Sequence, residues 1–158
     1  MMKICGVKFD KKYNTDELLD IIESYRKEND IFIQLFNHEK VIGKEHLIWA
    51  YDKAEEMMEQ ETNRADSLEI ETLLWASAEW QIKSAIRKMG VPDNSDKAAL
   101  LIEREMDIFL DEMDWEREDD LLNPSLEKLK RFGVDEKEIE SVTEPYDLVF
   151  EKMSTSIL

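Results

Sequence analysis

From Gly43 onward, the middle third of the chain repeats its apolar residues at three- and four-residue spacing almost without interruption. This spacing puts the apolar side chains on one face of a helix and predicts three successive amphipathic helices. The first begins at Gly43, the second is capped near Asp66 or Ser67, and the third lies within the segment "SAEWQIKSAIRKMGV" (77–91), with Gly90 as its C-cap. The residues predicted to face inward on this third helix are Ile82, Ala85, Ile86 and Met89.

Shorter apolar runs on either side of this helical segment are typical of β-strands. They cover Lys3–Phe9, Asp30–Asn37 and Lys97–Glu103, and a helix capped by Asn14 or Thr15 separates the first two. Three more helical patterns close the chain. The first, at 123–134, has Asn123 as its expected N-cap and Gly133 as its stop, and the others lie at 135–142 and 145–158. The sequence therefore predicts an α+β fold, in which one domain (1–158) contains a small mixed β-sheet covered by many helices.

The charge balance limits the kinds of partner. The formal net charge is −17, and ten of the 38 acidic residues fall within 103–120, which we expect to be a solvated helix or loop. Such an excess repels nucleic acid at long range, so tight RNA binding requires a local patch or a basic partner subunit. With one cysteine, no signal peptide and no apolar run near the roughly 20 residues that a membrane helix needs, we expect a soluble cytoplasmic protein without a membrane contact.

Motifs for catalysis or metal binding are not apparent. There is no glycine-rich phosphate loop, and His38 and His46, the two histidines, match no zinc spacing. Cys5 lies in an apolar run typical of a buried side chain, and a pair of carboxylates carries no information among 38 acids. We therefore expect a non-catalytic protein with no catalytic residue, no cofactor and no metal.

Residues 62–91 differ from the rest of the chain because their four basic and four acidic residues cancel. On one continuous helix, Trp80, Lys83 and Arg87 share a stripe. Proteins hold single-stranded RNA with cations along the phosphates and flat groups against the bases. The candidate RNA-binding residues are the cations Arg64, Lys83, Arg87 and Lys88, the planes Trp75 or Trp80, and the base-edge readers Asn63 or Gln81. The alternative is a solvated helix face with tryptophans in the core.

The middle of the chain also resembles a known family through several motifs in order. An "IQ" strand leads to a "G-x-x-HL" helix start, then to an "E-x-L" helix and a "QI-x-x-AI-x-x-x-G" helix. Here these positions are Gly43, His46, Leu47, Glu71, Leu73, Gln81, Ile82, Ala85, Ile86 and Gly90. With these motifs in this order, the chain resembles the small kinase-binding subunit of the KEOPS complex (EKC in eukaryotes), which is the family of the PRPK-binding protein.

The resemblance implies a non-catalytic accessory subunit of a complex that makes threonylcarbamoyladenosine in tRNA. It implies two partners, the small atypical kinase/ATPase subunit and the single-stranded 3′ CCA end of the tRNA. A kinase partner requires an apolar patch, and the candidate residues are Leu148, Val149, Phe150, Met153, Ile157 and Leu158. Two alternatives stay open: internal packing of this last helix, and a regulatory module of the kinase that does not contact RNA.

Overall fold

Residues 2–156 are described here from a computed structural model. The strands are β1 (Lys3–Tyr13), β2 (Ile33–Phe36), β3 (Ser95–Ile102) and β4 (Glu116–Arg117). The helices are α1 (Thr15–Asn29), α2 (Gly43–Glu59), α3 (Leu68–Ser77), α4 (Ile82–Met89), α5 (Met106–Met113), α6 (Leu126–Phe132), α7 (Glu136–Glu140) and α8 (Asp147–Thr155). Strands and helices in this proportion confirm the predicted α+β class. None of the helices within 2–156 is both long and apolar enough to cross a bilayer.

Backbone contacts divide the chain into two units. Unit 1 comprises Met1–His38 and Val91–Leu122, and unit 2 comprises Glu39–Gly90 and Asn123–Leu158. The strands and helices α1 and α5 belong to unit 1, and the six other helices belong to unit 2. The expectation of a single domain stays a prediction.

The sheet of unit 1 has the strand order β2-β3-β1-β4. In its register Cys5 of β1 lies opposite Leu100 of β3, and Leu100 lies opposite Leu35 of β2. Every ladder between the described strands is antiparallel, so the expectation of a mixed sheet was wrong. The central strand β3 is buried along Ala98–Ile102, which agrees with the continuous apolar run in its sequence.

Helix α1 begins with the capping signal that the sequence contains. The side chain of Asn14 accepts a hydrogen bond from the Glu17 backbone N–H (2.9 Å), and the Glu17 carboxylate accepts one from the Asn14 N–H (3.2 Å). This reciprocal capping box satisfies two N–H groups that the helix itself leaves unbonded. It identifies Asn14, rather than Thr15, as the N-cap.

The acidic segment 103–120 contributes to the core of unit 1 instead of lying wholly in solvent. Phe109 and Trp115 are buried, and their ring centroids are 5.5 Å apart. The Trp115 ring also lies 4.4 Å from that of Phe9, and its indole N–H donates to Asp10 (3.2 Å). The acids therefore occupy the outer face of α5 and the following turns. Most apolar residues between them pack inward, although Ile108 is exposed.

Gly6 is required where this segment crosses β1. The backbone N–H of Glu118 donates to the carbonyl oxygen of Gly6 (2.7 Å), and a Cβ atom on Gly6 would overlap the carbonyl oxygen of Glu118. A side chain at position 6 would push residues 118–121 away from the strand.

Unit 2 is built around α2 and α3, which pack against each other and against α8. Ser67 caps α3 by accepting a hydrogen bond from the Ile70 N–H (3.2 Å), in agreement with one of the two predicted caps. Helix α6 ends at Gly133, which has a φ of 113°, as its sequence predicts. The N-cap of α6 is Ser125, whose hydroxyl accepts a hydrogen bond from the Lys128 N–H (3.1 Å), so the expectation that Asn123 is the cap was wrong.

Candidate nucleic-acid and partner interface

The segment that the sequence presents as one helix contains a break. Helix α3 ends at Ser77, Ala78 adopts a left-handed conformation with a φ of 58°, and α4 begins only at Ile82. Trp80 therefore lies in the linker before α4, and the expectation that it shares a helical stripe with Lys83 and Arg87 was wrong.

Helix α4 presents two exposed cations. Lys83 and Arg87 are spaced four residues apart, so they lie on one side of the helix. Both side chains are exposed, and neither has an ion-pair or hydrogen-bond partner among residues 2–156. Within the described chain their charge is available to a ligand.

Apolar side chains are exposed next to these cations. Ile82 and Ile86 are 39% and 45% exposed, whereas Ala85 and Met89 are fully buried. Only two of the four residues predicted to face inward on this helix do so, because α4 packs against the rest of unit 2 with Ala85 and Met89. Trp80 is 57% exposed, and Gln81 is exposed as well. We refer to Trp80, Gln81, Ile82, Lys83, Ile86 and Arg87 together as the α4 face.

Arg64 is not available as a free cation. Its guanidinium Nη1 donates to the carbonyl oxygens of Glu79 (3.1 Å) and Trp80 (3.4 Å), and its Nε lies 3.7 Å from the carboxylate of Glu71. The side chain is only 16% exposed. Because the Arg64 side chain is bonded to residues within unit 2, the expectation that it contacts an RNA phosphate is corrected.

Trp75 and Asn63 are also engaged inside the protein. Trp75 is 1% exposed, and its indole N–H donates to the buried carboxylate of Glu71 (3.1 Å), so the ring offers no plane to a base and that part of the prediction is corrected. The Asn63 side-chain amide donates to the Ala65 carbonyl (2.7 Å), which turns its donor group toward its own loop. Of the predicted planes, only Trp80 is accessible.

The side chain of Lys88 is largely buried in the wall of a cleft. Its ammonium lies 3.8 Å from the centroid of the Phe132 ring and 3.9 Å from the carboxylate of Glu79. Burial, reinforced by the nearby charges of Lys40 and Lys152, lowers the pKa of Lys88 to about 8, against the opposing effect of Glu79. The predicted RNA contact by Lys88 therefore conflicts with its 18% exposure.

This cleft has a volume of about 500 Å³ and is lined by four cations, which the sequence analysis did not single out as a group. Three helices end at it, because the C-cap residues Ala78, Gly133 and Ser156 all line its wall. Helix C-termini carry a partial negative charge that favours nearby cations. The helix ends therefore favour the lysines and the arginine that line the cleft. These cations are Lys40, Lys88, Arg131 and Lys152.

Three of the four described residues of the predicted partner patch on α8 are internal. Leu148, Val149 and Met153 are buried, with exposures of 8%, 0% and 0%, so the expectation that they form an accessible patch is corrected. They face inward because α8 packs against α2 and α3. Phe150 is half-buried, with its ring 6.4 Å from that of His46. Ile157 and Leu158 lie outside the described residues.

His46 is a buried residue that holds two backbone groups by hydrogen bonds. Its Nδ1 accepts a hydrogen bond from the Ile42 N–H (3.0 Å), and its Nε2 lies 2.8 Å from the Ala76 carbonyl oxygen. Because Nδ1 acts as acceptor, Nε2 carries the proton and donates it to Ala76. Complete burial lowers the pKa of His46 to about 4. Among residues 2–156, no group of three His, Cys, Asp or Glu side chains is arranged to hold a metal ion.

Comparison with known proteins agrees with the resemblance drawn from the motifs. A family model described as kinase binding protein CGI-121 matches residues 9–143. The match takes in α1–α7, β2, β3, β4 and the second half of β1. The comparison with curated proteins gave no match.

Proposed function

Since this chain belongs to the family of kinase binding protein CGI-121, we propose that it is a non-catalytic accessory subunit of the KEOPS tRNA-modifying complex. In this proposal it binds the kinase/ATPase subunit in the cytoplasm and holds the single-stranded 3′ CCA end of the tRNA. The resemblance of the middle motifs to the KEOPS subunit supports the choice of complex.

The observation that carries the RNA part is the α4 face. Lys83 and Arg87 are exposed cations without a carboxylate partner among the described residues, and Trp80 offers an exposed ring just before the helix. Unpaired nucleotides are bound by this combination, in which cations contact phosphates and bases stack on aromatic rings. Stacking contributes about 1–3 kcal/mol per base.

The interaction is expected to be weak for the chain alone. A net charge of −17 opposes the approach of RNA, and two free cations neutralise only a small number of phosphates. The subunit therefore contributes to tRNA affinity within the complex, where other subunits share the phosphate contacts. Affinity is expected to fall as salt concentration rises.

The experiment that tests the RNA part compares tRNA with an intact CCA end and tRNA trimmed of it. The assembled complex is titrated with each RNA at several salt concentrations. The double variant K83E/R87E is expected to weaken binding of intact tRNA about tenfold at low salt, and to leave binding of trimmed tRNA unchanged. Equal affinity of the unaltered complex for both RNAs would refute the proposal.

A matched control separates local contact from overall charge. Lys44 in α2 and Lys137 in α7 are exposed lysines of unit 2 outside the α4 face. The variant K44E/K137E changes the net charge by the same amount as K83E/R87E. We expect it to change tRNA affinity far less, and an equal loss would show that the effect is long-range electrostatics.

The kinase contact requires a separate test, because three of the four described residues of the predicted α8 patch are buried. We propose that the half-buried Phe150 and the last two residues, Ile157 and Leu158, contribute to this contact. Co-purification with the kinase subunit is compared for the full chain and for a chain that ends at Ser156. Removing residues beyond Ser156 leaves Met153 in the core, so a loss of co-purification reports on the contact. Unchanged co-purification would argue against these terminal residues.

A second candidate follows from the exposed isoleucines. Ile82 and Ile86 give the α4 face an apolar component, which is typical of protein interfaces. In this alternative the α4 face docks on the kinase, and the chain is a regulatory module that does not contact RNA. The variant I82S/I86S discriminates: loss of kinase co-purification together with unchanged tRNA affinity of K83E/R87E in the assembled complex would favour the alternative.

A further inference from the structure

The Arg64 side chain lies close to two tryptophan rings, a position that the sequence around Arg64 does not predict. Its guanidinium carbon lies 5.0 Å from the ring centroid of the buried Trp75 and 5.7 Å from that of the exposed Trp80. Cations at such distances are attracted to the ring faces. Arg64 thus connects the core of unit 2 to the exposed aromatic ring of the α4 face.

Glu71 fixes Arg64 from the inside. The Glu71 carboxylate is fully buried, and it accepts hydrogen bonds from the backbone N–H groups of Arg64 (2.7 Å) and Ala65 (2.8 Å) and from the Trp75 indole (3.1 Å). The Arg64 Nε lies 3.7 Å from the same carboxylate. A buried carboxylate with this many donors holds its neighbours in one arrangement.

The outer end of Arg64 holds the linker between α3 and α4. Nη1 donates to the carbonyl oxygens of Glu79 and Trp80, the two residues after the left-handed Ala78. This linker has no regular hydrogen-bonding pattern of its own, since α3 has ended and α4 has not begun. Arg64 therefore bonds the backbone on both sides of Trp80, in addition to the hydrogen bond that the Glu79 N–H donates to Ser77 Oγ (3.1 Å).

We infer that Arg64 is a positioning residue, which orders Trp80 for stacking against an unpaired base and does not itself contact the RNA. The inference rests on the proposed function of the α4 face. It replaces the phosphate contact that the sequence predicted for Arg64. A ring that is already ordered loses less conformational freedom on binding, which improves affinity without adding a contact.

A double-mutant cycle tests this in the assembled complex with intact tRNA. R64K keeps the positive charge but removes the planar group that bonds two carbonyls and lies between two rings. We expect R64K to weaken binding about threefold to tenfold and W80A about tenfold. If Arg64 acts through Trp80, R64K causes no further loss when W80A is present. Additive losses would show that Arg64 contacts the RNA directly and would overturn the inference.

The salt dependence provides a readout that simple destabilisation does not affect. Each cation on a single-stranded phosphate contributes about 0.7 to the slope of log affinity against log salt. K83Q, the matched control, is expected to lower the slope by that amount, whereas R64K is expected to leave it unchanged. A lower slope in R64K would indicate a phosphate contact and contradict the inference.

Two further measurements keep the outcomes distinct. If W80A and K83Q both leave tRNA affinity unchanged, the proposed function fails; if they reduce it and R64K does not, only the positioning role fails. Should R64K lose kinase co-purification through misfolding, the unaltered chain labelled with 5-fluorotryptophan is used instead, with the Trp80 signal assigned from W80F. An ordered Trp80 ring in the free protein supports the inference, and a ring that reorients as fast as free tryptophan overturns it.

Discussion

The buried histidine of α2 makes the stability of this protein dependent on pH in a window that can be measured. His46 has no exposed surface, accepts a hydrogen bond from the Ile42 N–H and donates one to the Ala76 carbonyl. Protonation at Nδ1 would replace the acceptor that Ile42 needs with a second donor and would place a charge in the interior. Lys88 and Lys128 add a smaller repulsion in the same direction.

The magnitude follows from the pKa of His46, which burial lowers from 6.5 to about 4. Between these two values the unfolded chain binds a proton that the folded chain does not bind, so the free energy of unfolding falls as the pH decreases. The contribution is fully present above pH 6.5 and is lost progressively as the pH approaches 4. One pKa unit corresponds to about 1.4 kcal/mol, so the complete loss is about 3 kcal/mol, and about 2 kcal/mol of it occurs between pH 7 and pH 5.

Urea unfolding at pH 7 and pH 5 measures this change. H46N retains an acceptor for the Ile42 N–H and does not titrate, so it is expected to be less stable at pH 7 but to lose little further stability at pH 5. The chain has only one other histidine, and H38Q serves as the control that should keep the full pH dependence. If the unaltered protein and H46N lose the same free energy between the two pH values, the reasoning about His46 is refuted.

Two other changes test the packing. G6A is expected to lower the free energy of unfolding by about 2 kcal/mol, because the new methyl group overlaps the Glu118 backbone; a stability within experimental error of the unaltered protein in urea unfolding would contradict the close crossing of β1. E71Q is expected to cost about 3 kcal/mol, since it leaves Arg64 without its buried carboxylate. Hydrogen exchange of the Arg64 and Ala65 amides should increase in E71A, which removes the oxygen that both amides bond, and unchanged exchange would show that Glu71 does not hold this loop.

The elements that the sequence predicted correctly are those whose signals are local. The Asn14 cap, the Gly43 helix start and the Gly133 stop each depend on residues within one turn of the chain, and all three appear in the structure. The apolar run of β3 likewise reports burial on both faces of the sheet. Such features can be predicted without knowing which residues pack against them.

The break between α3 and α4 could not be predicted in this way. Ala78 takes a left-handed conformation, which alanine rarely adopts and which no sequence pattern announces. The hydrogen bonds that hold the linker come from Arg64, 15 and 16 residues away. Similarly, helical spacing predicted that Ile82 and Ile86 face inward. Both are exposed, because no element within the described part of the chain packs against that side of the eight-residue helix α4.

The neutrality of residues 62–91 has a different meaning in the structure from the one that composition suggests. Arg64 lies against the buried Glu71, and Lys88 pairs with Glu79 inside unit 2. These two pairs remove half of the basic residues of the segment from the surface and leave Lys83 and Arg87 as its exposed cations. A count of charges treats all four cations alike, whereas the structure divides them into two that are largely buried beside carboxylates and two that a ligand can reach. Because Arg64 also bonds the backbone carbonyls of Glu79 and Trp80, the contacts that remove it from the surface are the ones on which the inferred position of Trp80 depends.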